Sequence, residues 1–278
     1  MERVAECRSA LEAERAAGRT VGLVPTMGAL HDGHRSLVER AVAAGDVVCV
    51  SVFVNPLQFG PAEDLTTYPR DLAADVRVAE RSGASLVFVP PVEEMYPPGA
   101  TTRVRVEGLG DVLEGASRPG HFEGVATVVT KLLSIAGRCR AYFGEKDFQQ
   151  LVVVRRLVAD LSLPVEVVAC PTVRALDGVA VSSRNRHLSG DEREAAAVLL
   201  RALQAGAASI LAGERDPGEV RALMGDIVEA EPLVELDYAE VVDAATLAVP
   251  EKLDGELRLL VAARVGTTRL IDNLGVRA

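Results

Sequence analysis

The stretch "PTMGALHDGH", Pro25 to His34, sets His31 and His34 three residues apart, and the whole chain has only four histidines. Gly28 and Gly33 give it the freedom of a turn, between an apolar strand-like run and a helix-like run. A zinc site would need more ligands; His-Glu-x-x-His is absent, and Asp32, between the two, has no obvious partner. A turn that opens a helix offers a phosphate free backbone N–H groups and the positive end of the dipole. Imidazole N–H groups aimed at phosphoryl oxygens would stabilise charge that grows in a transition state. The plain alternative is that both histidines merely cap the helix. A pair in a glycine turn after the first strand favours phosphate.

Other polar stretches carry chemistry of their own. Asn55 and Gln58 in "FVNPLQFGP" are uncharged amides just past an apolar run, in a loop stiffened by Pro56 and Pro61. Amides orient a carboxylate nucleophile without blunting it, as a bidentate arginine would. "GEKDFQQ", Gly144 to Gln150, offers Lys146 to a phosphate and Asp147 to a ribose or metal-bound water, with Gln150 three residues on. Lysine is rare in this chain, at Lys131, Lys146 and Lys252 only, so one kept in a polar motif carries weight. "VSSRNR", Val181 to Arg186, sets hydroxyls and guanidiniums where they match phosphate oxygens and would close over a polyphosphate. His121, in a Pro-Gly turn, is expected to cap the next helix, and Val128, Val129 and Leu132 to wall a pocket. No P-loop and no G-x-G-x-x-G after the first strand occurs, so any nucleotide must bind through another motif.

These residues need a scaffold. Apolar runs such as "TVGLVP", "DVVCVSVFV", "SLVFVP", "CRAYFG" and "PVEVVAC" alternate with amphipathic helical stretches. Strands of near-continuous apolar character, each followed by a helix, predict a parallel sheet covered on both faces. The expected fold is α/β: a Rossmann-like doubly wound domain over 1–173, with ligands off the carboxyl ends of its strands. From 174 to 278 the pattern changes to a smaller α+β lid domain. A net charge of -10 argues against a nucleic-acid partner. The apolar runs are too short to span a bilayer and the amino terminus does not read as a signal peptide, which makes the cytoplasm the expected location. Four scattered cysteines, with no C-x-x-C, read as reduced thiols, those at Cys49 and Cys170 as small buried hydrophobes.

Taken in order, "PTMGALHDGH", "FVNPLQFGPAEDLTTYPR", "RPGHFEGVATVV", "YFGEKDFQQL" and "VSSRNRHLS", with "ARVGTTRLIDN" near the end, resemble the motifs of the pantothenate synthetases, the pantoate–β-alanine ligases. That family belongs to the nucleotidyltransferases related to class I aminoacyl-tRNA synthetases, and Arg184 stands where their mobile loop often has lysine. The resemblance implies ATP-dependent joining of pantoate to β-alanine through a pantoyl adenylate, with Mg2+, in a homodimer. It implies that Met27, Gly28, Ala29, Leu30, His31, Asp32, Gly33 and His34 hold ATP, with His34 as proton donor and His31 as phosphate partner. Gly144, Glu145, Lys146, Asp147, Val173, Val181, Ser182, Ser183 and Arg184 would also bind ATP, Lys146 with a catalytic role. Gln58 and Gln150 would hold pantoate or β-alanine, with Asn55 assisting. No magnesium ligands are legible, although Asp75 is a candidate acid near the ion. A related adenylate-forming enzyme that uses a different small acid is the alternative.

Overall fold

A computed structural model describes residues 1–60, 65 and 68–278, which form two compact units. The first comprises Met1–Glu145 and Gln149–Pro171, the second Lys146–Phe148 and Thr172–Ala278. Pro61, expected to stiffen the second loop, lies outside the described residues.

In the first unit, α1 (Val4–Ala16) precedes β1 (Val21–Thr26), α2 (Asp32–Ala43), β2 (Val47–Val52), α3 (Leu72–Arg81) and β3 (Leu86–Phe88). The one-turn helices α4 (Val92–Met95) and α5 (Glu114–Ser117) lead into α6 (His121–Ala136), β4 (Cys139–Gly144), α7 (Phe148–Asp160) and β5 (Val165–Cys170). The strands pair in parallel in the order β3-β2-β1-β4-β5, the doubly wound arrangement expected from the alternating apolar runs. From β1 the chain walks outward to β3, then returns to lay β4 on the other flank of β1. That reversal is a topological switch point, where loops leaving neighbouring strands diverge and open a crevice for ligand.

Burial explains the strands. Val24, Val48, Cys49 and Val50 are fully enclosed, because helices cover both faces of the sheet. Leu37, Val38 and Ala41 of α2 pack into this core at helical spacing. Val128, Val129 and Leu132 of α6 are core residues, exposed by 4–6 %, rather than the lining of an open pocket, since α6 is apolar around most of its circumference. Next to the start of β2, Tyr142 donates a 2.6 Å hydrogen bond to the Asp46 carboxylate and Arg140 a 2.8 Å one. Both Asp46 oxygens are thereby satisfied inside the unit, as a buried charge requires.

The second unit holds α8 (Gly190–Ala196), α9 (Val198–Leu211), α10 (Pro217–Glu229) and the antiparallel strands β6 (Val234–Asp243), β7 (Glu256–Val265) and β8 (Thr268–Arg277) in that order. This is the smaller α+β body expected. Val198, Leu199, Ala202, Leu203 and Ile210 form one stripe of α9, packed with Leu257, Leu259 and Val261 of β7. Gly206 permits the close approach: a Cβ there would lie 2.7 Å from Leu259 Cδ2. The run Gly190–Leu211 is long and apolar enough to cross a membrane, but the stripe just named places it in the core of this unit.

Candidate active site

The turn after β1 is built around a buried carboxylate. Gly28 has φ +85° and Ala29 φ +51°, two successive left-handed residues, and the second is costly for a side chain that has a Cβ. Asp75, on α3 and only 4 % exposed, holds them: Oδ2 accepts from the Ala29 amide at 3.1 Å and Oδ1 from the Leu30 amide at 2.7 Å. A Cβ on Gly28 would come within 2.8 Å of Asp75 Oδ2, so glycine is required there twice over. The Gly28 amide in turn donates to Thr26 Oγ1 at 3.2 Å.

The histidines close the turn. His31 is the N-cap of α2: its Nδ1 accepts from the Gly33 amide at 3.2 Å, and the His31 amide donates to His34 Nδ1 at 3.3 Å. This reciprocal capping box uses imidazoles where serine and glutamate are usual. The rings lie 4.1 Å apart. Capping and phosphate binding are therefore not rivals. An Nδ1 that accepts an amide hydrogen leaves the proton of a neutral ring on Nε2, so the cap sets the tautomer of both rings. The expectation of free loop amides is corrected: those of Gly28, Ala29, Leu30, His31 and Gly33 are already engaged.

The loop after β2 aims an amide. Asn55, 1 % exposed, donates from Nδ2 to Gln58 Oε1 and to the Gly124 carbonyl, each at 3.0 Å. Its Oδ1 accepts from the Leu57 amide at 3.3 Å and the Tyr96 hydroxyl at 2.8 Å. Asn55 is thereby saturated, two donors and two acceptors used, and one of those donors fixes Gln58 Oε1. With Oε1 engaged, Gln58 turns Nε2 toward Met27 Sδ, 2.9 Å away in the loop after β1. His121 does not cap α6, contrary to expectation, because Gly120 is the N-cap and the ring reaches sideways. It contacts the Gln58 carbonyl through Nδ1 at 2.9 Å and Arg118 Nη1 through Nε2 at 3.1 Å. A carbonyl only accepts and a guanidinium only donates, which makes this ring the neutral Nδ1–H tautomer. Tyr96 sits in this network with its hydroxyl pKa pushed up to about 12 by burial. Gln149 is spent on structure, bonded to the Glu114 amide and the Leu109 and Val112 carbonyls, while the next residue, Gln150, is half-buried.

In the second unit, Lys146, Ser182, Arg184, Asn185 and Asp272 line one small cavity. Lys146 and Asp147 sit in a 3-10 turn, Glu145–Asp147, with Lys146 Nζ 3.3 Å from Asp147 Oδ1. Val173 and Val181 face each other across a tight hairpin, the Val181 amide donating to the Val173 carbonyl at 2.9 Å. Ser182 caps the turn Ser183–His187 through its Oγ. Asn185 donates to the Ala180 carbonyl, and its Oδ1 is buried without a hydrogen-bond partner. Asn185 and Tyr96 do not stand out in the sequence: side-chain networks across distant loops leave no periodic trace.

Fold and sequence together define a class, a doubly wound α/β nucleotide-binding enzyme without a P-loop. The chain belongs to the family Pantoate-beta-alanine ligase, whose model matches residues 1–275. It is 51 % identical over 274 residues to the pantothenate synthetase of Moorella thermoacetica, covering 99 % of this chain and 97 % of that one. The crystal structure of pantothenate synthetase from Thermus thermophilus superposes with a TM-score of 0.93 at 50 % identity, over 100 % of this chain and 99 % of that one. The pantoate-beta-alanine ligase of Francisella tularensis, described as complexed with beta-gamma ATP and beta-alanine, gives 0.80 at 33 % identity, over 99 % and 96 %.

Proposed function

We infer that this protein condenses pantoate with β-alanine at the expense of ATP, in two displacements. A carboxylate oxygen of pantoate attacks the α-phosphorus, and the bond to pyrophosphate breaks to leave pantoyl adenylate. The β-alanine nitrogen then attacks the acyl carbon; the bond to AMP breaks and the nitrogen loses a proton. The Francisella relative, crystallised with an ATP species and β-alanine, supports both substrates.

The observation that carries the assignment is the histidine cap. Two neutral imidazoles with Nε2–H fixed by their own backbone are donors suited to phosphoryl oxygens at a switch-point crevice. We assign His31 and His34 this donor role, with hydrogen-bond donation in place of full proton transfer, since pyrophosphate is a good leaving group. Met27 to His34, Gly144 and Glu145 are assigned to ATP in the first unit. Lys146, Asp147, Val173 and the stretch Val181 to Arg184 are assigned to it in the second. Gln58 and Gln150 are assigned to pantoate, and Asn55 to holding Gln58. Neutral amides suit a carboxylate that must stay nucleophilic.

Magnesium finds no cage. Among the described residues no group of three or more His, Cys, Asp or Glu could hold a metal ion. Asp75, the candidate acid, has its two oxygens engaged by the Ala29 and Leu30 amides. A Mg2+ ion would be held by the triphosphate and water, and the roles given to these residues do not involve it. By family resemblance we also propose a homodimer, which sedimentation of the purified protein would test, and a cytoplasmic location, which cell fractionation would test.

Pantoate-dependent exchange of pyrophosphate into ATP, followed by AMP release only when β-alanine is added, is the expected result. Faster exchange with another small acid than with pantoate would overturn the substrate assignment.

A further inference from the structure

Lys146 is held from a strand 127 residues further along the chain. Asn273 of β8, 3 % exposed, donates from Nδ2 to the Lys146 carbonyl at 2.8 Å. Its Oδ1 accepts from Arg258 Nε of β7 at 2.7 Å, and the Arg258 guanidinium carbon lies 4.1 Å from the centre of the Phe148 ring. Because a guanidinium only donates, the amide cannot be flipped: Oδ1 must face Arg258 and Nδ2 must face Lys146. Register explains the pairing. Asn273 lies opposite Leu260 and Arg258 opposite Gly275, so both side chains share one face of the hairpin at a diagonal. The backbone around Asn273 is fixed as well. Its amide donates to Asp272 Oδ1 at 2.8 Å, and Arg174 grips both Asp272 oxygens, at 2.6 and 2.9 Å.

We propose that Asn273, braced by Arg258, is a positioning residue for Lys146. It fixes the carbonyl at one end of the Lys146–Phe148 segment while Arg258 stacks on the ring at the other, which sets where the ammonium stands in the cavity with Arg184 and Ser182. The proposal rests on the reading that Lys146 serves the triphosphate. The segment groups with the second unit, the one that contains these two strands.

Asn273→Asp is the informative variant: it keeps an acceptor for Arg258, removes the donor to Lys146 and turns a carboxylate oxygen toward the Lys146 carbonyl, so the clamp is opened by repulsion as well as by the lost bond. Arg258→Lys, which keeps the charge and loses the planar stack, serves if the first does not fold. Hydrogen exchange over residues 145–148 of the full-length protein is expected to speed up in either variant. Pantoate-dependent ATP–pyrophosphate exchange is expected to fall about 10- to 100-fold, the scale on which misplacing a reacting group is felt. A positioning role also predicts non-additivity, so Lys146→Ala with Asn273→Asp should be no slower than Lys146→Ala alone. Unchanged hydrogen exchange, or losses that multiply in the double variant, would overturn the proposal. Full activity of Lys146→Ala by itself would instead remove the triphosphate reading, leaving protection of 145–148 to decide the clamp.

Discussion

Gln58 shows how neighbours fix the orientation of a side chain. An isolated glutamine amide can present oxygen or nitrogen; here the Tyr96 hydroxyl and Leu57 amide occupy Asn55 Oδ1, which forces Asn55 Nδ2 toward Gln58 Oε1. The Gln58 Nε2 group is then the end presented past the loop, the polarity a carboxylate substrate needs. Gln58→Ala removes one hydrogen bond to a carboxylate, about 1.5–3 kcal/mol or a roughly 13- to 160-fold rise in the KM for pantoate. The KM for ATP should barely move. Steady-state kinetics with each substrate varied in turn checks this, and equal losses for both would count against the role given to Gln58.

At the scale of elements, the site depends on two close approaches. The first is α3 against the β1 turn, through Asp75. Asp75→Asn would set an NH2 group against one of two amide donors, leaving it unpaired in a buried place at a cost of about 1–3 kcal/mol. The expected outcome is a lower denaturation midpoint together with slower pantoate-dependent exchange, because the turn through Gly28 and Ala29 then keeps only one of its two bonds to residue 75. The second is α6 against the turn Pro56–Gln58. A Cβ at Gly124 would fall 2.3 Å from the Leu57 carbonyl oxygen, and both partners are backbone, so something must move. Gly124→Ala should destabilise by about 1–3 kcal/mol, as overpacking does, and should raise the KM for pantoate by shifting Asn55 and Gln58. Urea denaturation beside substrate kinetics separates the two effects. A variant with an intact midpoint and parent-like KM would show that α6 yields freely.

The whole molecule carries an alkaline weakness. Burial pushes the Cys139 thiol up to about 12, the Cys170 thiol to about 11 and the Tyr96 hydroxyl to about 12. Tyr142 is raised too, first by burial and then by its hydrogen bond to Asp46. Each group is kept neutral in the fold and ionises more readily in the unfolded chain, so the unfolded state loses protons first as pH rises. Their contribution is complete below about pH 9 and is lost progressively toward about pH 12. The melting temperature should fall steadily from about pH 9 upward, and less steeply in Tyr96→Phe. A flat profile across that range would contradict the assignment.

How much of this was legible beforehand follows from what kind of signal each feature leaves. Apolar runs alternating with amphipathic ones are local and periodic, so the parallel sheet, its helices and the smaller α+β body could be read from the chain, as could the family. Amide, imidazole and lysine motifs in loops likewise announced themselves by residue type. Hydrogen-bond partnership is neither local nor periodic. Only the tertiary structure decided that Asp75 takes the loop amides, that the histidine cap directs both Nε2 protons, that Asn55 serves Gln58, and that Asn273 grips Lys146. Those bonds join residues up to 127 positions apart, and a side chain buried beside a distant carbonyl looks in sequence like any other polar residue.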